Sequence, residues 1–405
     1  MPAENRIRIR VRMSARPIDE PHRSSSQLEL LFDLIFVVAV AAATDELAHG
    51  IADGHGWAAL AGFLQVFFAI WWAWMNFTWF ASSYDTDDVA YRLLTMVQMT
   101  GVLVLAAGVP AAAGSDYRAV TIGYVIMRIG LVAQWLRAGV EDAAGRRTAF
   151  RYAAGISLLQ VCWVVRLVLA GTGAVPPALL PALFAVLVVL ELSVPRWAER
   201  AGPTNWHPHH IAERYGLFTI ILLGEGVLAA SRGVRGALES AEIGGSLITI
   251  AVAGLVLLFA LWWLYFLEPA GDGLDDRRDR SYLWGYGHYG IFTALAALGA
   301  GLEVAVADTG HGIAASPLAI GYAVAISVAV YLVVLGLVHS PIVAEPVVRP
   351  VAILACVTVV LLLPLAAPRF GVAVVVTGIA VGCALLTAFA VTSKPKRARN
   401  APSGR

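Results

Sequence analysis

Residues 244–267 read GGSLITIAVAGLVLLFALWWLYFL, 24 positions without a charged side chain. As a helix this stretch would be roughly 36 Å long, enough to cross a hydrocarbon core about 30 Å thick. It is continuous rather than alternating, which argues for a helix and against a barrel strand. Applied to the whole chain, the requirement for about 20 apolar residues per span marks runs near 28–48, 57–80, 93–111, 118–138, 152–171 and 176–193. It marks six more near 214–231, 244–267, 283–304, 315–338, 349–366 and 370–391. The sixth and eleventh are short, so ten or eleven spans also fit. Composition agrees: 59% of the 405 residues are hydrophobic, mean hydropathy is +0.73, and only 14% are charged, against about 25% in soluble chains. The expected fold is an all-α integral membrane protein of about twelve transmembrane helices.

The net charge of +1 gives no global pull toward nucleic acid. Cys162, Cys356 and Cys383 all sit in apolar runs without a CxxC spacing, which points to neither a disulfide nor a metal site. The first 27 residues hold six arginines and no apolar core, unlike a cleavable signal. Placing both termini in the cytoplasm puts 23 of the 29 Lys and Arg residues on that side. Four fall outside (Arg118, Arg232, Arg235, Arg369) and two within spans (Arg128, Arg166). This asymmetry is the positive-inside pattern of a multi-pass inner-membrane protein.

The two halves echo each other. Trp71-Trp72 is followed by aromatics and by Asp85, Asp87 and Asp88; Trp262-Trp263 is followed by aromatics and by Asp272, Asp275 and Asp276. Ser26-x-x-Glu29 before the first run corresponds to His210-x-x-Glu213 before the seventh. Two parallel six-helix repeats follow, 26–195 and 210–392. They are joined by a linker at 196–209 and flanked by basic tails at 1–25 and 393–405. Parallel repeats place the site between halves in many transporters.

Ser26-Gln27-Leu28-Glu29 has the pattern of a capping box, which alone could account for Glu29. Asp33 lies one turn deeper among Leu31, Phe32, Leu34, Ile35 and Phe36; a carboxylate there must face a partner or water. Glu225, in Leu223-Gly224-Glu225-Gly226, falls roughly 15 Å into its span. Arg128, and secondly Arg166, are the cations available to it, since arginine stays charged when buried. The dense aromatics Trp71, Trp72, Trp74, Phe77, Trp79 and Phe80 read as an interfacial belt with packing behind it. His207-Pro208-His209-His210 is too irregular to be read as a zinc site. No P-loop, GxSxG or HExxH is present, so neither enzymatic chemistry nor a cofactor is expected.

Leu28-Glu29-Leu30-Leu31-Phe32-Asp33-Leu34-Ile35-Phe36-Val37 and His210-Ile211-Ala212-Glu213-Arg214-Tyr215-Gly216-Leu217-Phe218, continuing to Leu223-Gly224-Glu225, resemble two signatures of the bacterial low temperature requirement protein A family. The sequence departs from them at Leu31, where phenylalanine is usual, and at Gly226, where serine is common. The resemblance implies a polytopic bacterial membrane protein with a role in growth at low temperature, and it groups Glu29, Asp33, His210, Glu213, Arg214 and Glu225. It implies no mechanism. With the repeat and the intramembrane charge, the expectation is a secondary transporter or ion-coupled permease. Asp33 and Glu225 would bind the proton or cation, Arg128 would be the counter-charge, and a small ion or solute would be the partner. A non-transporting protein that senses or scaffolds the bilayer is the alternative. A channel is a third reading, because the lysosomal potassium channel family also carries Phe-x-Asp on its first helix; Leu217 stands at the aligned position of the second half.

Overall fold

A computed structural model describes residues 9–21, 23–239, 244–267, 269–310, 313–343, 346 and 348–393. Among them there is no strand. The long helices are α1 (Gln27–Ala52), α2 (Gly56–Tyr84), α3 (Val89–Ala107), α4 (Arg118–Glu141), α5 (Arg146–Gly171) and α6 (Leu180–Ala198). They continue with α7 (Pro208–Glu239), α8 (Gly245–Tyr265), α9 (Ser281–Ala307), α10 (Pro317–His339), α11 (Pro350–Leu362) and α12 (Val372–Ser393). Eleven helices among the described residues are long and apolar enough to cross a bilayer; α7, over the seventh expected run, is the further long helix, at 32 residues. The C-terminal tail beyond 393 lies outside the described residues.

Helix boundaries follow from local chemistry. Ser26 and Glu29 form the reciprocal capping box: the Glu29 amide donates to Ser26 Oγ at 3.3 Å, and the Ser26 amide donates to Glu29 Oε2 at 2.7 Å. Asp88 caps α3 by accepting from the Tyr91 amide at 2.9 Å. Pro208 opens α7, where a missing N–H costs nothing, and His207 Nδ1 accepts from the His210 amide at 3.3 Å. The histidine run is thus part of a helix start.

By packing, the chain divides into two compact units: residues up to 46 with 58–217, and 47–57 with the residues from 218 on. In the first unit α3 packs on α4, α4 on α5 and α5 on α6; in the second, α9 packs on α10 and α8 on α12. Large apolar side chains face outward along these helices, among them Leu34, Ile129 and Leu158, while the charged Glu29, Asp33, Arg128, Glu191 and Arg214 lie inside. That inversion suits a lipid solvent, in which polar groups must find partners within the protein.

The α3–α4 contact depends on glycine. A Cβ on Gly123 would lie 2.4 Å from the Leu105 backbone nitrogen, and one on Gly101 would lie 2.6 Å from the Gly123 carbonyl oxygen. Backbone cannot move aside as a side-chain tip can, so the helices would have to separate. Gly123→Ala is expected to cost about 1–3 kcal/mol, the usual penalty of overpacking. Gly62, with nothing within 4 Å of its Cβ position, supplies the control. Equal melting temperatures for G123A and G62A would show that the close approach does not limit stability.

The aromatic cluster of α2 differs from the expected interfacial belt. Trp71, Trp72, Trp74, Phe77 and Phe80 are all at most 1% exposed, and two of the indoles donate hydrogen bonds to buried carboxylates. Tryptophan serves wherever one end is apolar and its N–H has an acceptor, and here the acceptors lie inside the protein.

Candidate functional site

The first turns of α1 and α7, 181 residues apart in sequence, meet in the first unit. Arg214 Nε donates to Asp33 Oδ2 at 2.9 Å and Nη2 to Oδ1 at 2.5 Å, a bidentate fork. Trp74 Nε1 adds a third hydrogen bond to Asp33 Oδ1 at 2.7 Å. The remaining nitrogen, Arg214 Nη1, lies 3.0 Å from Glu29 Oε1, and His210 Nε2 lies 3.0 Å from the same oxygen. Both sit off the hydrogen-bonding direction, so these are charge contacts rather than aligned bonds. Arg23 joins from the N-terminal segment, 3.7 Å from Glu29 Oε1 and 3.5 Å from Asp85 Oδ2. Glu29, His210 and Arg214 are fully buried, and Asp33 is 1% exposed. Tyr91 is also fully buried, and its hydroxyl has no hydrogen-bond partner.

The cluster therefore holds three carboxylates (Glu29, Asp33, Asp85) and two guanidinium groups (Arg23, Arg214). Arg16, 3.7 Å from Asp85, is already matched by its own ion pair with Glu20. One positive charge is lacking, and a titratable side chain of the cluster, His210, lies 3.0 Å from Glu29 Oε1. Glu213 points elsewhere: it is exposed and accepts weakly from the Ser25 amide at 3.3 Å. His210 and Glu213, grouped by the resemblance, thus have separate surroundings.

Asp85 follows the end of α2. Burial first, and then the charge of Glu29, push its carboxyl up to about 6, against the pull of Arg23 and Arg16. The folded protein then holds a proton that an unfolded aspartate, with its ordinary value of 3.8, has released. Stability accordingly falls as pH rises between about 4 and 6, and the penalty is complete above that. Asp85→Asn is expected to melt higher than wild type at pH 7.5 and to lose the advantage below pH 4. His207, pulled down mainly by burial, works in the opposite sense, so the informative quantity is the difference between the two melting curves. A D85N protein less stable at both pH values would mean that its ion contacts outweigh its burial.

The neighbouring aspartates have other duties. Asp87 pairs with Arg92 at 2.7 Å, and Asp88 pairs with Arg137 at 2.6 Å while accepting from the Val11 amide at 2.8 Å. The N-terminal segment is thereby held against the starts of α3 and the end of α4.

A further buried carboxylate was not anticipated. Glu191 of α6, 1% exposed, accepts from Trp72 Nε1 at 2.8 Å, Tyr124 Oη at 3.1 Å, Trp163 Nε1 at 3.1 Å and Gln160 Nε2 at 3.4 Å. Arg128 Nη2 donates to the same Tyr124 hydroxyl at 2.5 Å, with its guanidinium 4.6 Å from that ring. Arg128 and Glu191 are therefore opposite charges joined through one hydroxyl. Glu191 stands in Val188-Val189-Leu190-Glu191-Leu192, where the intramembrane-carboxylate rule applied to Asp33 also marks it.

In the second unit Glu225 is 3% exposed. Gly226 beside it is closely approached: its Cβ position lies 3.3 Å from a Leu258 methyl and 4.0 Å from the Gly299 Cα. Gly224 has open space. Arg166 of α5 makes a single weak bond, from Nη2 to the Leu180 carbonyl at 3.4 Å.

No solved structure matches the chain. Among curated proteins it is 28% identical over 281 residues to the uncharacterized protein RA0937 of Rhizobium meliloti (strain 1021). That match spans 65% of this chain and 65% of the relative, just under two thirds of its length. Residues 24–390 match the family described as bacterial low temperature requirement A protein. The matched region carries the Glu29–Asp33 and His210–Arg214 turns that meet in the buried cluster, and the chain belongs to the bacterial low temperature requirement A family.

Proposed function

We propose that this protein is an ion-coupled permease of the bacterial inner membrane, with both termini cytoplasmic, in which the Glu29–Asp33–Asp85–Arg23–Arg214–His210 cluster takes up one proton or one monovalent cation per cycle. The observation that carries the reading is the charge count: three carboxylates face two guanidinium groups in a buried site. An uncompensated buried charge is costly, so the site favours whichever state brings one more positive charge. A proton on Asp85, whose carboxyl is already raised, or on His210 does so, as does a cation beside Glu29 and the unbonded Tyr91 hydroxyl. Glu225, the buried carboxylate of the second unit, is the second group proposed to bind the coupling ion. Arg128, the cation expected to face Glu225, shares the Tyr124 hydroxyl with Glu191.

Transient currents from the protein reconstituted on a solid-supported membrane test this, with a pH-sensitive dye inside parallel vesicles. The expected result is a current on a pH jump or a sodium jump that falls at least tenfold in Glu29→Gln and in Glu225→Gln. The threefold hydrogen bonding of Asp33 favours a second reading, in which the cluster is a permanent clamp and the protein supports growth at low temperature by sensing or scaffolding the bilayer. Silence of folded wild type to both jumps, with no dye response, would favour that reading.

A further inference from the structure

Arg166 has a charge and, among the described residues, no counter-ion. Its guanidinium carbon lies 5.6 Å from the Phe184 ring centre and 6.0 Å from those of Tyr117 and Trp163. Its Nε is buried without a hydrogen-bond partner, and no carboxylate of the described residues lies within ion-pair distance of it. The residue stands five positions before the end of α5, roughly 7 Å from that end. This is the end of the first unit opposite to the one where the N-terminal segment meets Asp88 and Glu141. An arginine at such depth keeps its charge and demands an anion or water.

The space beside it has the matching chemistry. A cavity of about 40 Å³ is lined on its polar side by Arg166 with Gln65, Tyr117 and Thr121 and elsewhere by aromatic and aliphatic side chains, with no acidic residue in its wall. That is room for the head of a small anion or for a few waters. The wall offers hydroxyl and amide donors beside a planar guanidinium, the donor set that suits an oxyanion. Below the cavity, Tyr124 and Trp163 direct their own donors to Glu191. Those two donors are therefore taken, and the Glu191 behind them is matched by Arg128 through Tyr124, so Arg166 is the cation that faces an anion in the cavity.

We infer that Arg166, with Tyr117, Thr121 and Gln65, forms a binding site for the oxyanion head of a singly charged ligand, either the carboxylate of a small solute or the phosphodiester of an anionic lipid. The site is separate from the ion cluster of α1 and α7 and stands whether or not the protein transports.

The test uses full-length protein labelled with 5-fluorotryptophan in phosphatidylcholine nanodiscs, with Trp163 as the reporter, assigned by comparison with Trp163→Phe. Sodium acetate is titrated against sodium chloride at constant ionic strength. The Trp163 fluorine resonance is expected to move saturably in wild type, to stay still in Arg166→Gln, and to respond in Arg166→Lys with a half-saturation at least tenfold higher. Arg166→Gln removes a side chain that no carboxylate depends on, so its fold is expected to survive, and unchanged positions for the other tryptophan resonances check this. A second arm substitutes phosphatidylglycerol for part of the lipid. A resonance already shifted and no longer responsive to acetate identifies the lipid head as the occupant; an unaltered acetate response identifies the solute. No saturable shift in either arm, or an equal shift in Arg166→Gln, overturns the site.

Discussion

Replacing Arg214 with methionine is expected to destabilise the folded protein by about 3–5 kcal/mol, the cost of leaving buried charge without its partner. The reason is the number of groups that one guanidinium serves. Both oxygens of Asp33 and one oxygen of Glu29 face it, and both acids are buried. Without it, Asp33 keeps only the Trp74 indole, and Glu29 keeps Arg23 and His210 at one oxygen. The two carboxylates would then have to bind protons to remain inside. Adding Asp33→Asn and Glu29→Gln to Arg214→Met should therefore recover a large part of the loss, because the triple variant has no orphaned charge there. Thermal melting in a mild detergent at pH 7.5 gives the comparison. A single variant as stable as wild type, or a triple variant less stable than the single, would show that the fork does not hold α1 to the start of α7.

The second large effect is expected at Glu191. Glu191→Leu keeps the volume and removes the acceptor for four side-chain donors, Trp72, Tyr124, Trp163 and Gln160. Each buried donor left unmade costs about 1–3 kcal/mol, and Arg128 loses the negative charge beyond Tyr124. Since these groups share one site the costs do not add in full, and a total on the order of 4 kcal/mol is expected. Glu191→Gln retains one acceptor oxygen and should cost about half as much. The discriminating measurement is the Tyr124→Phe background, where Arg128 has already lost its link to Glu191. If Glu191→Leu costs as much there as in wild type, the Arg128–Tyr124–Glu191 connection contributes nothing.

How much of this could be read in the sequence depends on the range of the interaction. The spans were legible because hydropathy is a local property, and the Ser26–Glu29 capping box because its partners are three residues apart. Asp33 and Glu29 were each visible as carboxylates in awkward places. Their common partner was not, since 181 residues separate Arg214 from Asp33 and no spacing rule reaches that far. Arg214 entered only through the resemblance to a family. Glu191 was overlooked although the rule that marked Asp33 applies to it equally, because it falls near the expected end of a short span. The tryptophans of α2 were misread because an indole suits an interface and a buried acceptor alike, and only the third dimension reveals the acceptor.

Trp72 and Trp74 are two residues apart on one helix, which sets their indoles about 200° apart around its axis. One indole is fastened to Glu191 and the other to Asp33. Turning α2 in either sense would swing both N–H groups sideways off their acceptors at once, so the helix is braced against rotation like a beam pinned on both flanks. Any working motion in this unit must then carry α2 along as a rigid strut or release both pins together. The second course would alter two indole environments at once and would register as a change in near-ultraviolet circular dichroism.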